Sequence, residues 1–393
     1  MVFLTALAPV AALYVLATTA AAYSTVSYET LESFPSPGDE FDIKKGSILA
    51  PILRPRVSGT EGNVAVRQHL VDFIKTQLPD WTIELHNSTS ITPVSKGKEV
   101  PFVNIIATRD PPNVKTGDVG RLALVAHYDS KLTPEGFIGA TDSAAPCAMI
   151  LHAARSIDKA LTKKWEAMGD DLDGLDEPKG VQLLFLDGEE AFVSWSDTDS
   201  LYGARALAQD WETSFHPATS TYQTPLDSID LFVLLDLLGA ANPVVPSYFK
   251  TTHWAYKHMA VLEHRMREKG LFKSSPNHAS KLKMRNNKKR AEPYFLVDSE
   301  KADHGDFIGG GIADDHIPFM MRGVEILHMI PTPFPNQWHE KEDDGEHLHM
   351  ESVEDWTRLV TAFTAEWMEL EGHFDLKEQR RAALDEKSEF MIP

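Results

Sequence analysis

Glu189 and Glu190 stand side by side in Phe185-Leu186-Asp187-Gly188-Glu189-Glu190-Ala191-Phe192. The run before them, Val181-Gln182-Leu183-Leu184-Phe185-Leu186, is apolar and β-favouring, as a buried strand requires. Asp187-Gly188 is a turn signal, so both carboxylates emerge where the strand leaves its sheet. Two acids there can divide labour, one holding a metal while the other moves protons. A Glu-Glu pair alone reads more readily as a solvated acidic turn. The rest of the chain reverses that reading.

Four further places repeat the pattern. Leu122–Ala126 leads into His127-Tyr128-Asp129-Ser130. Gly139-Ala140-Thr141-Asp142-Ser143 opens a helical pattern, where Asp142 alone reads equally as an N-terminal cap. Phe232–Leu235 delivers Asp236 inside an apolar run, and a buried carboxylate needs a partner or a proton. Ile326–Ile330 leads through a proline-rich stretch to Trp338-His339. Asp142, Glu190 and His339 form a zinc set of two carboxylates and one imidazole, with a position open for substrate or water.

These positions need a sheet to gather them. Strands are expected at Thr82–Leu85, Val103–Ala107, Leu122–Ala126, Val181–Leu186, Leu231–Leu235 and Ile326–Ile330. Helical spacing appears over Asn63–Leu78, with Leu70, Phe73, Ile74 and Leu78 as the buried stripe, and over Ala144–Ala160, Gly203–Gln209, Trp254–Lys269 and Val353–Leu370. The expected fold is an α/β three-layer sandwich, with helices flanking a central mixed, mostly parallel twisted sheet and zinc at the carboxyl ends of its strands. No repeat or Gly/Ser linker divides it, so residues 23–393 read as one catalytic domain. Lys163–Lys179 and Phe272–Arg290 read as surface excursions, the first acidic, the second basic and solvated.

A net charge of −20 argues against nucleic acid and anionic membranes as partners. Val2–Ala22 is apolar and ends in small residues, reading as a signal peptide over 1–22 and hence a secreted protein, with a retained anchor as the alternative. Asn87-Ser88-Thr89 is a glycosylation sequon. Cys147 is the only cysteine, which excludes an internal disulfide, and its apolar setting reads as a buried small hydrophobe.

With these residues assembled, the chain resembles the secreted glutaminyl-peptide cyclotransferases, the glutaminyl cyclases of animals and fungi, kin of the zinc aminopeptidases. The resemblance runs from about Ile52 to about Leu370 and is carried by Ala126-His127-Tyr128-Asp129-Ser130-Lys131, Gly139-Ala140-Thr141-Asp142-Ser143-Ala144, Asp187–Phe192, Asp199–Gly203, Leu235–Ala240, Asp314–Phe319 and Pro333–His339. It implies one zinc per chain on Asp142, Glu190 and His339, with Glu189 as acid/base and Asp236 and Asp314 as hydrogen-bonding carboxylates of the site. Trp195, Phe334 and Trp338 would be its aromatic walls, with His328 beside them. The implied substrate is a peptide or protein with N-terminal glutamine, converted to pyroglutamate with loss of ammonia by a monomer. One departure stands out: the animal members pair two cysteines, at the positions of Cys147 and Ala126, and here that staple cannot form. The rival is a two-zinc aminopeptidase, since His127 and Asp236 occupy positions that such enzymes use around a second metal.

Overall fold

The computed structural model describes residues 25–169, 178–309 and 311–376. The leader expected over 1–22 lies outside them, as does most of the acidic stretch before Lys179. Six strands, β1 (Thr82–Ile91), β2 (Glu99–Arg109), β3 (Gly120–His127), β4 (Lys179–Leu186), β5 (Ile229–Leu235) and β6 (Ile326–Met329), form one sheet in the order β1-β2-β4-β3-β5-β6. β4, β3, β5 and β6 run parallel, while β2 is antiparallel to both β1 and β4. The sheet is therefore mixed and mostly parallel.

All six expected strands are present. β1 runs on to Ile91 through Asn87-Ser88-Thr89-Ser90, a composition that reads as loop. A continuous antiparallel ladder, from Thr82↔Thr108 to Ile91↔Glu99, overrides local propensity there.

The helices are α1 (Tyr28–Ser33), α2 (Glu61–Gln77), α3 (Ala145–Met168), α4 (Tyr202–Thr213), α5 (His253–Glu268), α6 (Ala279–Met284), α7 (Ile317–Met320) and α8 (Met350–Trp367). Alternation along β3 assigns the layers. Leu122, Leu124 and Ala126 face a core shared with α2, α3, α5 and α8, whereas Ala123 and Val125 face the smaller core under α4 and α7.

Two surface readings need correction. The chain does not leave its helix at Ala160: α3 continues to Met168, because Leu161 and Trp165 extend its buried stripe. The basic segment is also more ordered than a solvated loop. Phe272 is buried, α6 lies inside the segment, and Lys273 and Lys281 pair with Glu354 and Glu351 of α8.

Candidate active site

The four parallel strands end side by side; β3, β4 and β5 deliver chemistry within a few residues of their last ladder positions, and β6 does so through a longer loop. β3 ends in His127, β4 is followed by Asp187-Gly188-Glu189-Glu190, and β5 by Asp236. β6 leads to the loop bearing Phe334, Trp338 and His339. Two glycines allow the close approach this needs. Gly188 has φ +79°, and a Cβ there would lie 2.4 Å from the Phe102 ring; at Gly139, φ +64°, it would lie 2.2 Å from the Asp142 carbonyl oxygen.

Asp142, Glu190 and His339 converge as expected. His339 Nε2 lies 3.5 Å from Asp142 Oδ2 and 3.6 Å from Glu190 Oε2. Ligands at about 2.0–2.1 Å on a tetrahedral zinc stand about 3.3 Å apart, so these two separations need only a slight contraction. Glu190 Oε1 is buried without a hydrogen-bond partner, as a carboxylate awaiting a cation would be. The residues present fit a zinc ion. Asp142 is not a helix cap: the N-cap of α3 is Ala144, and no side chain caps it.

Burial drives the electrostatics. It pushes Glu190 well above the usual carboxylate range, and the charge of Asp142 adds to this. Burial likewise raises Glu189, reinforced by Glu190, Asp314 and Asp315 and opposed by His127. For His127, burial favours the neutral ring, but contacts to Asp129, Asp142 and Asp236 outweigh it and raise the group well above an ordinary histidine. Those contacts measure 3.4, 3.0 and 3.6 Å. Asp314 is raised by burial and then by the charge of Asp236. Burial holds His328, 2.7 Å away, at about 4, as a neutral imidazole.

A cavity of about 440 Å³ opens over these groups, lined by Glu189, Asp142, Asp236, Lys131, His339, Trp195, Phe334 and Trp338 among others. The ring of Trp338 stacks on His339 at 3.9 Å and meets Phe334 edge-on at 4.8 Å. Trp195 and Trp338 stay 39% and 38% exposed, so both rings offer area to a ligand. Asp314 and His328 are buried and do not line the cavity; they lie behind its wall, joined to each other.

Several supporting residues were not singled out in the sequence. Asp129 accepts the backbone N–H groups of Glu189 and Glu190 at 3.1 and 3.2 Å. Asp199 accepts three successive N–H groups, from Phe192, Val193 and Ser194, and fixes the loop that carries Trp195. Buried Arg56 donates to the carbonyls of Tyr128, Ile138, Gly139 and Asp142. Lys131 Nζ approaches Glu190 Oε2 at 3.4 Å. Their only sequence signal was a place inside a motif or, for Arg56, none.

The profile of Peptidase family M28 matches residues 104–364. The glutaminyl-peptide cyclotransferase-like protein of Bos taurus is 38% identical over 328 residues, 82% of this chain and 75% of its own length. The chain belongs to the glutaminyl-peptide cyclotransferases of family M28. The glutaminyl-peptide cyclotransferase of Gloydius blomhoffii is likewise 38% identical, over 82% of this chain and 80% of its own. The crystal structure of Macrostomum lignano glutaminyl cyclase superposes with a TM-score of 0.69 at 28% identity, covering 88% of this chain and 95% of that one. In this cyclotransferase, as the single cysteine dictated, Cys147 is buried and free, its thiol pushed up to about 12 by burial.

Proposed function

We propose that the protein is a zinc-dependent glutaminyl-peptide cyclotransferase that converts N-terminal glutamine of peptides and proteins to pyroglutamate and ammonia. One observation carries this reading. Glu189, Asp142 and His339 line one cavity walled by Trp195, Phe334 and Trp338, and Glu190 completes the donor group beside Asp142 and His339. That space suits a single residue folded back on its own amine. Zinc bound to these donors would supply Lewis acidity toward the substrate's side-chain amide carbonyl.

The chain's own side chains do the rest. Trp338 and Phe334 pack on the glutamine stem, exclude water and hold amine and amide carbon in reach of each other, which supplies much of the rate. As the α-amine bonds to the amide carbon, Glu189 takes its proton. As the carbon–nitrogen bond breaks, Glu189 returns that proton to the departing nitrogen, which leaves as ammonia. A carboxyl raised by burial and by neighbouring acids suits both transfers. Asp236 is fixed by the Ser143 hydroxyl and the Leu237 N–H, and Asp314 by the Asp315 N–H and His328. Against the cost of burial, His127 and Ser143 hold Asp236 in its ionised form, which keeps negative potential near Glu189, whereas burial favours the protonated form of Asp314.

The deciding experiment incubates purified protein with Gln-initiated and Leu-initiated peptides and reads product masses. Loss of ammonia from the first, with the second intact, is expected. Steady release of free N-terminal leucine would sink the cyclase assignment. The apolar leader over residues 1–22 supports a secretory route, and a secreted product beginning at Tyr23 is the corresponding expectation.

A further inference from the structure

We propose that the segment Lys288-Lys289-Arg290-Ala291 is a processing site for an endoprotease selective for paired basic residues, and that the cut chain remains assembled and active. Lys288–Arg290 is the only run of three basic residues in the sequence, and Lys289-Arg290 its only Lys-Arg pair. All four residues are exposed and lie outside helix and strand, in an irregular stretch that continues to Tyr294. Lys273 and Lys281, earlier in the same segment, are paired with acids of α8. The side chains of Lys288, Lys289 and Arg290 make no ion pair among the described residues, which leaves their charges free for acidic specificity pockets. Among the described residues the other basic pairs have their backbone held: Lys163-Lys164 lies within α3, and the N–H groups of Lys44 and Lys45 are tied to Asp42.

One restraint holds the target bond. Asn277 accepts the Arg290 N–H at 2.9 Å and donates to its carbonyl at 2.8 Å. Entry into a protease cleft requires release of those two exposed hydrogen bonds and no unfolding of the core. The flanks are firmly tied. Upstream, Asp355 accepts the N–H groups of Lys273 and Ser274. Downstream, Glu292 pairs with Arg267, and Glu263 accepts the N–H groups of Phe295 and Leu296, both buried.

Hydrolysis adds water across the Arg290–Ala291 bond, giving a new carboxylate on Arg290 and a new amine on Ala291. Asp142, Glu189, Glu190 and Asp236 would then belong to one piece, and Asp314, His328 and His339 to the other. With a single cysteine no disulfide can join them. The pieces would be held by the β5–β6 ladder from Phe232↔Ile326 to Leu235↔Met329 and by α8, which lies in the core shared with α3 and α5. The metal site would thus be shared between two chains.

The test treats the full chain, under native conditions, with a subtilisin-fold endoprotease selective for Lys-Arg pairs. Intact mass and amino-terminal sequencing locate the cut, size exclusion reports assembly, and turnover of a Gln-initiated peptide is compared with an untreated aliquot. The expected internal cut starts the new piece at Ala291-Glu292-Pro293, at least tenfold faster in Asn277→Ala and absent in a Lys289→Gln/Arg290→Gln variant. The pieces should co-elute and keep at least half of the untreated turnover. A native chain left intact at this bond, or cut equally well in the Gln variant, would overturn the processing site. Separation of the pieces, or loss of turnover in the cut sample alone, would overturn the assembled active form. An untreated sample without turnover would instead indict the cyclase reading and leave the mass result standing.

Discussion

Asp129 Oδ2 accepts the backbone N–H of Glu190 at 3.2 Å, and this bond fixes the ligand's main chain while leaving its carboxylate free. The same carboxylate takes the Glu189 N–H and lies 3.4 Å from His127 Nδ1. Asp129→Asn keeps the size but turns an amide NH₂ toward an N–H donor. Metal affinity should fall about 10–100-fold, the usual loss when a group that orients a ligand is removed. Chelator competition on the metal-loaded protein measures this, and unchanged affinity would show that Glu190 needs no such brace.

Glu189→Gln should leave metal content and peptide binding near normal while kcat falls by about two to four orders of magnitude, the usual worth of a positioned acid–base. Steady-state kinetics beside metal analysis separates the two effects. Near-normal turnover would remove Glu189 from the proton transfers.

One tightly held metal per chain is expected. His127, Asp142 and Asp236 are also close enough to form a donor group. Their atoms are already committed, however: His127 Nε2 bonds Asp142 Oδ1 at 3.0 Å, and Asp236 Oδ1 accepts from Ser143 and Leu237. Elemental analysis of the purified protein should return one equivalent, lost in His339→Ala. Two retained equivalents would favour the aminopeptidase alternative.

Trp338→Ala removes the ring stacked on His339 and one wall of the cavity. With substrate conformation no longer constrained, kcat/KM for a Gln-initiated peptide should drop about tenfold or more. An unchanged value would place Trp338 among purely structural residues.

His152, buried in α3, points Nε2 at the Pro35 carbonyl at 3.2 Å and leaves Nδ1 unpartnered. Burial lowers it to about 4, so the unfolded chain, titrating near 6.5, takes up the proton first. The resulting stability is complete above about pH 6.5 and is lost as pH falls through about 4, a difference of roughly 3 kcal/mol at most. His152→Gln should flatten the loss of stability across that window. Urea midpoints measured from pH 7 to pH 4 for both proteins test it, and parallel curves would exclude His152.

The sequence made legible those parts that depend on local pattern. Glu190 and Asp236 could be read because a β-favouring run ending in acids is conspicuous, and both do follow strands, whereas Asp142 was read from the Gly139–Ser143 lead-in to a helix and lies just before α3. His339 alone was ambiguous, and it stood out only as the imidazole that completes a set with the carboxylates of Asp142 and Glu190. Arg56, Asp129 and Asp199 were not legible as supports, because their partners are backbone groups that only the folded chain brings near; Arg56 reaches Asp142 across 86 residues. The long β1 escaped for a related reason: Ser88, Thr89 and Ser90 are strand residues only because β2 lies alongside. The resemblance set His328 beside the aromatic walls, and its place as the penultimate residue of buried β6 turns its ring to Asp314 behind the cavity.

The three candidate zinc donors arrive in the order Asp142, Glu190, His339, and the last depends on β6, an edge strand of four residues that pairs with β5 alone. A chain in which β3, β4 and β5 have assembled but β6 has not docked offers the carboxylates of Asp142 and Glu190 without the imidazole of His339. Such a partial site would grip zinc weakly, whereas the finished one would be closed by a ligand contributed late in the sequence. Metal capture by these donors would therefore act as a check on completion, pulling the equilibrium toward the fully docked sheet and favouring no intermediate before it.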